Sequence, residues 1–187
     1  MKKLFFFVFA GILLSACSNS GTKLPAPDPA LKNEVVITND MENAKGMIPS
    51  WFSEKTVIAM TEPPAHSGQY ACATNEINEF SYMYNEVFKN IDSRIPKLVT
   101  FSGWVYTTVA NPKLSIICGL NENGKQYSWS PFPLDKDLSE AGKWVEFTSS
   151  FYFNDKPVKP EDDIKLYAWN DSKKPIYFDD LKIVFSY

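Results

Sequence analysis

The sequence predicts an all-β domain, a two-sheet antiparallel β-sandwich of the jelly-roll type. Short segments of alternating apolar and polar residues recur along residues 34–187, with turn-forming residues between them. Aromatic residues make up 15% of the chain and there are 13 prolines, a composition that favours strands. No segment has the apolar spacing of a helix longer than two turns, and 134–142 is a candidate for a short one.

We predict about eight to ten strands. In chain order, the segments include EVVIT, KTVIAM, QYACAT, KLVTFSGWVYTT, KLSIICGLN, KQYSWSPFPL, GKWVEFTSSFYF, DIKLYAWN and the C-terminal IYFDDLKIVFSY. The aromatic segment EFSYMYNEVF is ambiguous. Because side chains alternate between the two faces of a strand, Ile164, Leu166 and Ala168 are expected to point inward. Tyr167 and Trp169 are then expected to point outward.

The C-terminal strand changes phase at two aspartates. The apolar side chains before Asp179 are even-numbered, and those after Asp180 are odd-numbered. A one-residue change of phase marks either a β-bulge or the true start of the strand. If the odd register extends back to Asp179, this carboxylate points into the core. It then needs a partner, because an unpaired buried carboxylate is costly or shifts its pKa.

Residues 1–16, MKKLFFFVFAGILLSA, have the basic start and short apolar run of a secretory signal peptide. The segment is too short to span a membrane. Its end, together with Cys17, resembles the lipobox of bacterial lipoproteins. The resemblance implies cleavage before Cys17 and a diacylglycerol on its sulfur, which would anchor the protein to a membrane.

Residues 17–33 read as a flexible tether, because Ser, Gly and Pro are frequent and nothing is periodic. Residues 34–187 then form one domain. Ser18 lacks the aspartate that is typical of inner-membrane retention, so an outer-membrane address is implied by analogy. No acidic residue lies between Ser18 and Lys23, and the sequence leaves open whether the domain faces the periplasm or the medium.

Charge and motifs exclude several functions. Loss of the signal peptide removes two lysines and lowers the formal charge from −3 to −5, and no basic stripe suggests nucleic-acid binding. His66 is the only histidine, and no nucleophile, metalloprotease or phosphate-binding motif occurs, so we expect no enzymatic activity. Cys72 and Cys118 lie in apolar strand patterns. We favour buried thiols there over the disulfide that the compartment would permit.

Several short blocks resemble a known family when they are taken in order. They are NDME at 39–42, Trp51, SGQYA at 67–71, FSGWVY at 101–106, GKW at 142–144, YAWN at 167–170 and IYFDDL at 176–181. Together they resemble the galactose-binding-domain-like jelly rolls, specifically the CenC-type carbohydrate-binding modules, over residues 35–185. That family usually opens with Asn-Gly-x-Phe-Glu, from which Asp40 and Met41 depart. The resemblance is more specific for fold than for function.

The resemblance also implies a buried structural Ca²⁺. Glu42 and Asp179 match the carboxylate ligands of the family, and backbone carbonyls from Ser67 to Gln69 match the others. Ca²⁺ accepts carboxylate and carbonyl oxygens in flexible geometry. The alternative, in which Asp179 only accepts backbone N–H groups at a bulge, stays open.

Aromatic side chains outside the predicted core faces are candidate glycan contacts. Sugar rings stack their C–H faces on flat aromatic rings, while their hydroxyls bond to polar neighbours. The candidates are Tyr82, Tyr84, Trp104, Tyr106, Trp129, Tyr167 and Trp169, with Tyr127 beside Trp129. We therefore predict a lipid-anchored, non-catalytic glycan-binding module of the cell envelope. The alternative is an accessory envelope lipoprotein whose aromatic rings pack under a loop and whose partner is a protein.

Overall fold

The computed structural model describes residues 33–44, 48–153 and 157–187. The signal peptide and Cys17 lie outside the described residues, so cleavage and lipidation stay predictions. In the described ranges, no helix is long and apolar enough to cross a membrane.

The described residues form eleven strands, one short α-helix, α1, at Phe88–Ile91, and a 3-10 helix at Glu54–Thr56. The strands are β1 Glu34–Asn39, β2 Trp51–Phe52, β3 Val57–Ala59, β4 Tyr70–Thr74, β5 Met83–Val87, β6 Leu98–Thr107, β7 Leu114–Glu122, β8 Lys125–Pro133, β9 Trp144–Tyr152, β10 Asp163–Asn170 and β11 Ile176–Ser186. The predicted β-sandwich is confirmed.

The strands form two antiparallel sheets. The six-stranded sheet has the order β3-β4-β11-β6-β9, with β1 also paired to β11. The five-stranded sheet has the order β2-β5-β10-β7-β8, so β10 is its central strand. In the six-stranded sheet β11 pairs with β6 along one edge, and with β4 and then β1 along the other.

The core lies between the inner faces of the two sheets. The alternation of apolar and polar residues along the strands predicts this position. Ile164, Leu166 and Ala168 of β10 are buried, and so are Val99 and Phe101 of β6. On the opposite sides of these strands, alternate side chains point away from the core. The inward and outward assignments for β6 and β10 are therefore correct.

The predicted short helix at 134–142 does not form. Leu134 instead extends the pairing of β7 and β8, because its N–H donates to the Leu114 carbonyl at 2.9 Å. The segment at 79–88 that was ambiguous in the sequence forms β5, and α1 begins at its last residue, Phe88. The helix buries Phe88, whose ring lies 5.9 Å from that of Phe153.

The phase change in the last strand is a β-bulge. The register between β11 and β6 shifts between Asp179 and Lys182, and Asp180 has a φ of 47°, in the left-handed region. Asp179 lies before this shift and pairs with the outward-facing Trp104, so it keeps the phase of Phe178 and does not follow the odd register. Its side chain is nevertheless fully buried, because the loop that precedes β4 lies over it.

The two cysteines are buried thiols, as predicted. Cys72 lies in β4 of one sheet and Cys118 in β7 of the other. The Cys72 Sγ accepts the Tyr82 N–H at 3.0 Å, and burial raises the pKa of this thiol to about 11.

Candidate functional site

The outer face of the five-stranded sheet carries a cluster of aromatic rings, which we call the aromatic patch: Phe80, Trp129, Tyr167 and Trp169. The Trp129 and Trp169 ring centroids are 5.8 Å apart, edge to face, and those of Phe80 and Tyr167 are 5.7 Å apart. Trp129 is 45% exposed and Phe80 is 49% exposed, whereas Tyr167 is buried beneath them. Burial raises the pKa of Tyr167. The patch thus offers two exposed rings on a packed aromatic support.

Gly119 lies beside Trp129 and is itself buried. Trp129 in β8 pairs directly with Gly119 in β7, which pairs with Lys165 in β10. A Cβ at Gly119 would lie 3.7 Å from the Lys165 Cβ, which is ordinary contact, so the packing does not require glycine here. A glycine within a strand often marks a place where a ligand approaches closely.

An open depression of about 320 Å³ lies on the same face, at the opposite edge of the sheet. We call it the Asn85 depression; its lining residues are Ser50, Phe52, Asn85, Glu86, Val87 and Asp163. Asn85 pairs with Lys165, so one row of paired residues runs across four strands from Asn85 to Trp129. Neither Phe52 nor Gly119 was among the sequence candidates, although the alternation in KLSIICGLN places Gly119 outward.

Tyr127 lies on β8 near the aromatic patch and is 44% exposed. Its hydroxyl donates to Asp162 Oδ2 at 2.7 Å. Burial and this neighbouring carboxylate raise the pKa of Tyr127. This hydrogen bond fixes the orientation of the Tyr127 ring, which the sequence located only as beside Trp129.

Tyr82 and Tyr84 lie in the core, which corrects their place among the glycan contacts. Their exposed fractions are 0% and 2%. The Trp51 ring packs against both of them, at centroid distances of 5.3 and 5.5 Å. The Tyr84 ring also lies 6.2 Å from that of Phe185, on the other sheet. Both tyrosines therefore pack between the two sheets and lie outside the candidate site.

Trp104 and Tyr106 point outward as predicted, but from the other sheet. Their strand, β6, belongs to the six-stranded sheet, so they lie on the opposite side of the sandwich from Trp129. The His66 ring stacks on Trp104, with centroids 3.9 Å apart and planes 14° apart. The Trp144 indole N–H donates to the Pro64 carbonyl at 3.1 Å. The loop before β4 therefore covers Trp104, and the sequence candidates do not form one site.

The buried Asp179 carboxylate finds its partners in the backbone. Its Oδ2 accepts the Ser67 N–H at 3.0 Å, and its Oδ1 accepts the Asp180 N–H at 2.7 Å. Burial raises the pKa of Asp179 to about 6, although these N–H groups act in the opposite direction. The carboxylate therefore ties the bulge in β11 to the loop that precedes β4.

Glu42, near the start of the domain, binds the same loop. Its Oε1 accepts the N–H groups of Gln69 and Tyr70, both at 2.9 Å. Gly68 has a φ of 57°, and a Cβ there would lie 2.4 Å from the Glu42 Cδ. Glycine therefore provides both the left-handed backbone and the space for this carboxylate.

The predicted calcium site fits these residues only in part. Glu42 and Asp179 do reach one loop, as the resemblance implies. Both Asp179 oxygens already accept N–H groups, however, and the Gln69 carbonyl accepts the Met60 N–H at 2.9 Å. Among the residues that the structure describes, no group of three His, Cys, Asp or Glu side chains is placed to hold a metal ion. The backbone N–H groups partner the carboxylates without a cation, and calcium stays a prediction.

Thermal melting tests the calcium prediction. If Ca²⁺ binds only the folded domain, a chelator lowers the Tm and added Ca²⁺ restores it, by about 2.7 kcal/mol at a hundredfold excess over Kd. Asp179→Asn should abolish the response, and Asp180→Asn should retain most of it. A melting curve of the wild-type domain that is indifferent to chelator contradicts the prediction.

The one histidine does not form a nucleophile–base pair with its serine neighbour. The His66 Nδ1 lies 2.7 Å from Asp180 Oδ2, and the Ser67 Oγ donates to Asp180 Oδ1 at 2.7 Å. Both side chains thus bind the same carboxylate instead of each other. The arrangement holds the loop over Trp104.

The fold and the outer-face geometry define the class of this protein, a jelly-roll β-sandwich with an aromatic face on its five-stranded sheet. No protein-family model matches the sequence, and no curated protein matches it.

Among solved structures, the chain is similar to carbohydrate-binding modules. One is the CBM22-1 xylan-binding domain of Xyn10C from Paenibacillus barcinonensis, with 16% identity, a TM-score of 0.48, and coverage of 80% of this chain and 92% of that one. Another is the xylan-binding module CBM15, with 13% identity, a TM-score of 0.46, and coverage of 82% and 97%. A third is TmCBM61 in complex with β-1,4-galactotriose, with 13% identity, a TM-score of 0.41, and coverage of 80% and 99%. At these values the matches assign no ligand to this chain.

Proposed function

We propose that this protein is a non-catalytic glycan-binding module and that the glycan lies on the outer face of the five-stranded sheet. The exposed Trp129 ring carries the proposal, because it packs on the buried Tyr167 and lies beside Gly119, which has no side chain. A sugar ring stacks its C–H face on such an indole and excludes water from it. The resemblance to CenC-type modules supports the same class of ligand.

Replacing Trp129 tests this function. Trp129→Ala should weaken glycan binding by about 1 kcal/mol, or roughly fivefold, because one stacking surface is lost. The Tm should change little, since the ring is nearly half exposed. Xylan and β-1,4-galactan are suitable first probes, in a panel of soluble polysaccharides with isothermal titration calorimetry, because similar structures bind xylan or β-1,4-galactotriose.

Tyr152→Ala is the matched control. Tyr152 is 54% exposed and lies in β9, on the other sheet, so its loss should leave glycan affinity unchanged. If no polysaccharide binds the wild-type domain at millimolar concentration, the glycan function is wrong. The loop that covers Trp104 would then favour the alternative, an accessory lipoprotein with a protein partner.

We also propose that the domain is lipid-anchored in the cell envelope, at the outer membrane, through Cys17. The lipobox-like end of the signal peptide supports this location. Mass spectrometry of the mature wild-type protein should show a diacylglyceryl cysteine, and Cys17→Ala should move the protein from the membrane to the soluble fraction. Recovery of an unmodified soluble form from wild-type cells contradicts the proposal.

A further inference from the structure

The Asn85 depression contains an acceptor that the protein leaves unused. The Asn85 Oδ1 is buried and has no hydrogen-bond partner among the described residues. Buried polar atoms are nearly always hydrogen-bonded, so an unpaired one calls for a specific explanation. This oxygen is shielded from solvent as the side chain stands. Asn85 lines the depression, so rotation of its amide about χ2 would turn the oxygen toward a group that enters and donates a hydrogen bond.

The surroundings of Asn85 are fixed by hydrogen bonds within the protein. The Asn85 backbone N–H donates to the Ser50 carbonyl at 2.7 Å. The Ser50 hydroxyl and the Asn90 amide both donate to Glu86. Across the depression, Asp163 Oδ1 accepts the Asn121 amide at 2.7 Å. These bonds hold the walls in place and leave the Asn85 carbonyl oxygen as the unpaired acceptor.

The same depression has an apolar ring at its rim. Phe52 is half exposed and belongs to β2, the edge strand of the sheet, while the neighbouring Trp51 points into the core. An exposed flat ring beside oxygen acceptors suits a sugar, whose C–H face stacks while its hydroxyls donate.

The depression and the aromatic patch share one face. Asn85 lies in β5 and Trp129 in β8, three strand spacings apart, or about 14 Å across the sheet. Lys165 and Gly119 lie between them in the same row. One linked glycan chain can therefore reach both ends only if it is several sugar rings long.

We propose that the Asn85 depression is a second, separate sugar-binding subsite. It takes a sugar ring that stacks on Phe52 and donates hydroxyl hydrogen bonds to Asn85 Oδ1 and the Asp163 carboxylate. This inference rests on the proposed glycan function and goes beyond it, because it assigns specificity to residues at the edge of the sheet opposite Trp129.

Calorimetry with oligosaccharides of two lengths tests the subsite. The probes are xylobiose and xylohexaose, with the gluco- and galacto-oligosaccharides of the same lengths in parallel. Asn85→Leu removes the acceptor while keeping the size of the side chain, and Phe52→Ala removes the ring. Each should weaken hexasaccharide binding by about three- to tenfold. The Tm of Asn85→Leu should not fall, because no partner is left unpaired.

Comparison with Trp129→Ala separates the inference from the proposed function. Trp129→Ala should weaken every hexasaccharide that binds, whereas the two depression variants should bring hexasaccharide affinity closer to that of the disaccharide. If both depression variants bind hexasaccharide like the wild type while Trp129→Ala does not, the subsite is overturned and the glycan function stands. If none of the oligosaccharides binds the wild-type domain, both are overturned.

Discussion

Phe178→Ala is expected to lower the free energy of unfolding by about 3–5 kcal/mol. Phe178 is 1% exposed and lies in β11, the strand that joins both halves of the six-stranded sheet. Its ring centroid lies 6.2 Å from that of Phe147, nearly perpendicular to it. The substitution leaves a cavity that strands fixed on both sides cannot close. Urea unfolding of the two proteins measures the difference.

Phe80→Ala is the matched control for this cavity. Phe80 is also a phenylalanine, but it is 49% exposed on the aromatic patch, so its loss should cost less than about 1 kcal/mol. Equal losses for the two variants would contradict the placement of Phe178 in the core.

Gly103→Ala is expected to destabilise the domain by about 1–3 kcal/mol through overpacking. A Cβ at Gly103 would lie 2.8 Å from the Leu181 Cδ2 and 3.0 Å from the Asp179 carbonyl oxygen. Both atoms belong to β11 next to its bulge, and the backbone carbonyl cannot move without disturbing the pairing of β6 and β11. Thermal melting and urea unfolding should both show the loss.

Gly119→Ala provides the comparison. It is also a strand glycine, but a Cβ there has only ordinary contacts, so stability should change by less than about 0.5 kcal/mol. An equal loss of stability in Gly119→Ala and Gly103→Ala would contradict the ordinary contact distances around position 119.

The periodicity of the sequence predicted which side chains face the core. Lys165, Tyr167 and Trp169 lie outside, and Leu181 and Ile183 lie inside after the bulge, because alternation within one strand fixes these positions. Alternation did not show that Asp179 keeps the outward phase before the bulge and is buried by a loop. Alternation cannot say to which sheet a strand belongs. The sequence therefore placed Trp104 and Trp169 outside the core, each with its neighbouring tyrosine, but could not show that they lie on opposite sides of the sandwich.

Other features depend on pairing between distant segments. The aromatic residues of EFSYMYNEVF are all even-numbered, so alternation could not show that Tyr82 and Tyr84 are buried against Trp51 while Phe80 is exposed. The Asn85 depression is built from β2, β5 and β10, which are remote in sequence. Its unpaired acceptor becomes visible only when these strands are placed together.

The position of β11 has a consequence for folding. This strand pairs with β1, β4 and β6, all of which precede it by many residues, so the six-stranded sheet cannot be completed before β11 joins it. Pairing between strands so distant in sequence makes folding slow compared with that of local topologies. We therefore expect the order in which β11 meets its three partners to limit the folding rate of the domain.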